Sequence, residues 1–206
     1  MTEQFLARFT EHAATGGWRV DTVDDDDFAG FTREEGLEVE AQFGLDLTPR
    51  DYGLSLNPSL GVRHPGVDDL AANLLGFGGG AAQAGATLAD LVYEAGRRDL
   101  MWVVESEEDV APVVQRLLVD LETYGEPFFE RFTSLPDLID NLEQTATTTV
   151  PFAHLAVAHA ISGNTARVPA VLRRMADWAG QQPPLVAQQA KRFLTEFGAY
   201  FDIAWN

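Results

Sequence analysis

Between positions 37 and 48 apolar and polar residues alternate without a break. Leu37, Val39, Ala41, Phe43, Leu45 and Leu47 are separated by Glu38, Glu40, Gln42, Gly44, Asp46 and Thr48. A period of two puts all the apolar side chains on one face of a strand and the polar ones in water. After a turn at Pro49–Asp51, Tyr52, Leu54 and Leu56 repeat the pattern. Residues 37–57 are therefore predicted to form an antiparallel hairpin with one wet face. Before it, Phe5, Leu6, Phe9 and Ala13 recur at helical spacing, which predicts an amphipathic helix over residues 2–15. Thr2 offers a cap for it and Gly16-Gly17 a stop. Trp18–Val23 reads as a short strand and Asp24–Asp27 as a loop or turn.

Helical periodicity then takes over. Pro65 stands near the start of a helix carrying Val67, Leu70, Ala71, Leu74 and Leu75, and Gly76–Gly85 reads as a flexible run. Leu100–Glu105 is predicted to be a buried strand. Ser106, followed by Glu107, Glu108 and Asp109, opens the longest expected helix, because carboxylates favour the positive end of a helix dipole. Gly125 is expected to stop that helix after Tyr124. Further helices are predicted from Ser134-Leu135-Pro136 onward, over about 152–162, 166–180 and 185–203. Strands grouped before helices predict an α+β fold, an antiparallel β-meander packed by helices with an all-helical C-terminal tail. The whole chain reads as a single domain, its α+β part about 1–125 and its tail about 126–206.

Some of these residues carry a resemblance. The N-terminal helix, the meander ending in Tyr52-Gly53-Leu54-Ser55-Leu56-Asn57-Pro58, and the Trp102 strand running into Ser106-Glu107-Glu108 come in one order. Tyr124-Gly125-Glu126-Pro127-Phe128-Phe129 and Leu155-Ala156-Val157-Ala158 follow. Together they resemble an uncharacterised bacterial domain-of-unknown-function family with the same helix, β-meander and helical-tail layout. The resemblance implies a fold and carries no activity. Leu155–Met175 also resembles one helix–turn–helix unit of a tetratricopeptide array; without a repeat it reads as an ordinary helical hairpin.

Charge sharpens the picture. The 206 residues include 32 acids, 14 bases and no cysteine, for a net charge of −18. Residues 1–143 hold 29 of the acids against nine arginines and no lysine. Such a stretch is expected to repel nucleic acid and anionic lipid, since phosphate binding needs clustered Lys and Arg. It is expected instead to attract a cationic protein. The absence of cysteine removes thiolate catalysis and Cys-based zinc sites. With neither a signal peptide nor a membrane span in the sequence, the cytoplasm is the simplest location.

The candidate chemistry is sparse. Gly76-Phe77-Gly78-Gly79-Gly80-Ala81 matches the dinucleotide pattern G-x-G-x-x-A, but a helix precedes it where a strand is needed and Ala81–Ala86 is a weak helix start, so a loop is expected and no cofactor. Asp24–Asp27 lacks the ligand spacing of a calcium loop. His154 and His159, five apart, do not share a helix face, and no metal site is expected. His154 reads as a satisfied interior or helix-end histidine, and Phe128, Phe129 and Phe132 as core anchors. The weak ligand-binding candidates are Asn57, Arg63 and His64, at the end of the sheet and in the loop from strand to helix, where site residues often sit. No motif commits the chain to a reaction. Two readings stay open: a non-enzymatic acidic protein-binding or regulatory protein, immunity- or antitoxin-like, and a small-molecule-binding or hydrolytic domain with its site at Asn57, Arg63 and His64.

Overall fold

The computed structural model describes residues 1–24, 27–35, 38–99 and 102–203. Asp25 and Asp26 of the expected turn, Leu37 at the head of the alternating run, and Leu100-Met101 of the expected strand lie outside the described residues. The fold is α+β. In chain order the elements are α1 (Thr2–Thr15), β1 (Arg19–Asp24), β2 (Phe28–Glu35), β3 (Val39–Arg50), β4 (Gly53–Arg63), α2 (Pro65–Leu75), β5 (Ala84–Thr87), α3 (Leu88–Glu94) and β6 (Trp102–Val104). A helical run follows, made of α4 (Val110–Asp120), a π-turn (Leu121–Gly125) and α5 (Glu126–Phe129). The chain closes with α6 (Leu135–Thr145), α7 (Thr149–Ile161), α8 (Val168–Ala179) and α9 (Pro184–Phe201).

Among the described residues the strands form one sheet in the order β1-β2-β3-β4-β5, with β6 also paired to β4. The alternation along β3 is realised: Val39, Ala41, Phe43, Leu45 and Leu47 are buried, while Asp46 is exposed. β2 pairs antiparallel with β3, Phe31 opposite Phe43 and Ala29 opposite Leu45. Helix α1 lays Phe5, Phe9 and Ala13 inward. The Phe9 ring packs 5.1 Å from Phe31 and 5.5 Å from Phe43, and Trp18 closes the layer against Phe43 and Phe129. Phe128, Phe129 and Phe132 are buried as core anchors.

Several expectations need correction. Met1, not Thr2, occupies the N-cap of α1, and no side chain caps it. Tyr52 lies in the turn between β3 and β4 and is exposed. Gly53, next to it, has φ +144°, and a Cβ there would stand 2.2 Å from the Val104 carbonyl oxygen. Only glycine allows β6 to approach so closely. Gly125 does not end the helix from Ser106; a π-turn carries the chain through it into α5. The longest α-helix among the described residues is α9, 18 residues. Gly76–Gly85 is not one loose run. Gly76, at φ +84°, caps the C-terminus of α2, and Ala84–Thr87 is a strand that begins within the expected run.

The chain divides into two compact units, Met1–Val62 with Gly85–Thr133, and Arg63–Ala84 with Ser134–Asn206. The first holds the sheet and its helices. In the second, α7 is the central helix: Phe152 through His159 is buried continuously, and α2, α6, α8 and α9 pack around it. A helix buried on all sides has no solvated face, and apart from Thr149, His154 and His159 its sequence is apolar all round. The α7–α8 segment is a packed helical hairpin, as Leu155–Met175 suggested.

Candidate functional site

Of the sequence-derived candidates, Arg63 and His64 are placed side by side in the second unit, where β4 ends and α2 begins. His64 is the N-cap of α2, its Nδ1 accepting the Val67 amide at 3.2 Å. That contact makes Nδ1 the acceptor and leaves the proton on Nε2. The His64 amide donates to Gln83 Oε1, and Gln83 Nε2 donates to the Ala81 carbonyl at 2.9 Å. Asn141 Nδ2 then reaches the Gln83 carbonyl at 3.2 Å. Arg63 donates from Nε to Asp68 Oδ2 at 2.9 Å and also pairs with Asp69.

Asp68, absent from the candidates read in the sequence, is the centre of this corner. It is 1% exposed, on the inner side of α2. Its Oδ1 lies 3.1 Å from His154 Nε2, and its Oδ2 accepts from Arg63 and from the Gly80 amide. Burial alone would raise its pKa. The bonds from His154, the Gly80 amide and Arg63 outweigh burial and hold the carboxyl below its ordinary range. The glycine-rich loop is bound to this anion. A Cβ on Gly79 would stand 2.8 Å from Asp68 Oδ2. The Gly80 amide of the dinucleotide-like run thus serves a carboxylate of the protein itself. His154 is the satisfied interior histidine expected. His159, also buried, is 2.9 Å from Glu143 on another partner set. Asp68, Arg63, His64 and Gln83 all have protein partners, and the corner acts as a clamp on the loop.

Asn57 is not part of it. It stands six positions before Arg63 on β4, roughly 20 Å along a strand. Its neighbours belong to the first unit: Asn57 Nδ2 lies 3.5 Å from Asp46 Oδ2. The two residues line a groove of about 410 Å³ together with Asp27, Leu47, Thr48 and Pro49. The Leu47 amide donates to the Asp27 carbonyl at 2.7 Å, which fixes that aspartate at the groove's rim. Two carboxylates, one of them met by the Asn57 amide nitrogen, make the groove acidic.

A larger cleft, of about 510 Å³, lies in the same unit between the C-terminal end of α1 and the π-turn, lined by His12, Trp18, Arg33, Gln115, Glu122 and Glu126 among others. Arg33 stands at an inward register position opposite Ala41. Its charge is accommodated by two bonds to Glu126, at 2.9 and 2.8 Å, and by stacking 4.6 Å from the Trp18 ring. A π-turn stands just before Glu126; such turns recur at functional sites. The sequence signal for this pair was slight: one arginine in an alternating strand, and one glutamate after a glycine expected to be a stop.

Among the described residues no three metal-ligating side chains gather into a site, and no helix is long and apolar enough to cross a membrane. Compared with protein-family models, curated proteins and solved structures, the chain matches none.

Proposed function

We propose that this chain is a non-enzymatic, acidic protein-binding or regulatory protein, immunity- or antitoxin-like, that engages a basic protein partner through its first unit. The observation that carries the reading is the division of charge between the units. The first holds 24 acidic residues against eight arginines, whereas the second holds eight acids against six bases. Four of those eight arginines are spent inside the unit: Arg19 on Glu34, Arg33 on Glu126, Arg97 on Asp99 and Asp120, and Arg116 on Asp99. The remaining carboxylates give the unit a field that steers a cationic partner toward it.

The test is to isolate the partner by co-purification from the native host and measure its affinity as ionic strength rises. Affinity is expected to fall by about tenfold or more between roughly 0.05 and 0.3 M salt, because exposed charges are screened over that range. A partner of acidic character, or an affinity indifferent to salt, contradicts the reading.

A further inference from the structure

The inner face of the β1-β2-β3 layer is buried under aromatic side chains. The outer face carries Thr32, Glu34, Glu40, Gln42 and Asp46, with Phe28 among them. Register places Phe28 directly opposite Asp46 on one side and Asp24 on the other.

Two residues further along β2, Gly30 faces Gly44. With no Cβ on either, the Phe28 ring lies across both. A Cβ on Gly30 would stand 3.3 Å from Phe28 Cε1, and one on Gly44 3.1 Å from Cε2. The half-buried ring therefore rests on the two glycines. Gly44 must also stay bare for a second reason: its Cβ would meet Ser59 Oγ at 2.6 Å.

Some rings of this chain already hold one of its own cations. Trp18, Phe129, Tyr124, Tyr93, Phe132 and Phe152 each carry an arginine of this chain over the ring. Among the described residues Phe28 carries none. Beside it Asp46 is exposed and shares the 410 Å³ groove with Asp27 and Asn57. On the same face Glu34, which Arg19 reaches at 3.3 Å, stands directly opposite Glu40. An aromatic face flanked by carboxylates is complementary to an ammonium or guanidinium group.

Resting on the reading that the first unit meets a basic partner, we propose that the outer face of this sheet around Phe28 seats a lysine or arginine side chain of that partner, the cation over the Phe28 ring and beside the carboxylates of Asp46 and Asp27. The groove receives the rest of the basic segment. The face belongs to one compact unit.

The experiment is a titration of the full-length chain with an acetylated, amidated tetra-arginine peptide at low salt, followed by NMR of the backbone amides and aromatic ring protons. Saturable shifts are expected at Phe28, Asp27, Asp46 and Asn57. Phe28→Leu keeps the two glycines covered but removes the aromatic face, and is expected to weaken binding about two- to fivefold. Asp46→Asn, at an exposed position, is expected to weaken it by a similar factor. It remains informative if the Phe28 variant fails to fold. Saturable shifts that spread over other acids of the first unit, or that neither substitution weakens, overturn this placement and leave the broader reading standing. No binding at low salt overturns both.

Discussion

His154 Nε2 lies 3.1 Å from Oδ1 of Asp68, a hydrogen-bond contact between side chains 86 positions apart in sequence, each 2% exposed or less. A buried carboxylate is tolerable only when its oxygens are satisfied. Here His154 takes one oxygen, and Arg63 with the Gly80 amide takes the other. The contact ties α2 to α7 and, through Gly80, holds the glycine-rich loop.

Asp68→Asn keeps the shape of the side chain but leaves Arg63 and His154 beside a neutral group. Breaking a buried pair in this way is expected to cost about 3 kcal/mol in urea denaturation at neutral pH. A loss under about 1 kcal/mol would mean that the carboxylate contributes little.

The same residue sets a pH dependence. The folded-state pKa of Asp68 is depressed. Its contribution is therefore fully present above the unfolded value of about 3.9 and is lost as pH falls through the lower folded value. The stability gap between the natural chain and Asp68→Asn is expected to hold from about pH 7 to 5 and to narrow below about pH 4. A gap that widens on acidification contradicts the assignment.

Phe43 is 1% exposed and packs against Phe9, Phe31 and Trp18. Phe43→Ala is expected to cost about 3–5 kcal/mol, the usual loss for a buried phenylalanine. Denaturant titration reading under about 1 kcal/mol would overturn the packing described for β3.

Two glycines with positive φ separate strain from collision. Gly96, at φ +92°, has open space within 4 Å of where a methyl would stand, so Gly96→Ala is expected to cost about 1 kcal/mol from backbone strain. Gly53→Ala adds a collision with the Val104 carbonyl and the backbone of Glu105, and is expected to cost more than about 2 kcal/mol. Equal losses at the two positions in thermal melts would show that β6 yields to the methyl.

Much of this fold was legible because its faces differ. β3 announced itself through alternation, since its outer side chains meet water, and α1 through a single apolar stripe. β2 did not: FAGFTREE offers two inward apolar residues, Ala29 and Phe31, and then the inward Arg33, whose solution needed Glu126, 93 positions away. Helix α3 went unseen because its seven residues bury only Leu88 and Val92. The candidates at the end of β4 failed to converge because Asn57 and Arg63 are separated along the strand. Asp68 and Asp69 look alike in sequence as a solvated pair. Which of them goes inside is settled by His154, and no local pattern contains that information.

Carboxylates on the outer face of the first unit are proposed to hold a basic partner. The most direct measurement compares the affinity of the co-purified partner for the natural chain and for Glu34→Gln/Glu40→Gln/Asp46→Asn, each at several salt concentrations. All three substitutions remove charge from that face of the sheet. The variant is expected to bind about tenfold more weakly at low salt and to show a shallower salt dependence, the two chains converging as ionic strength rises. Equal affinity and an unchanged salt dependence would contradict the account.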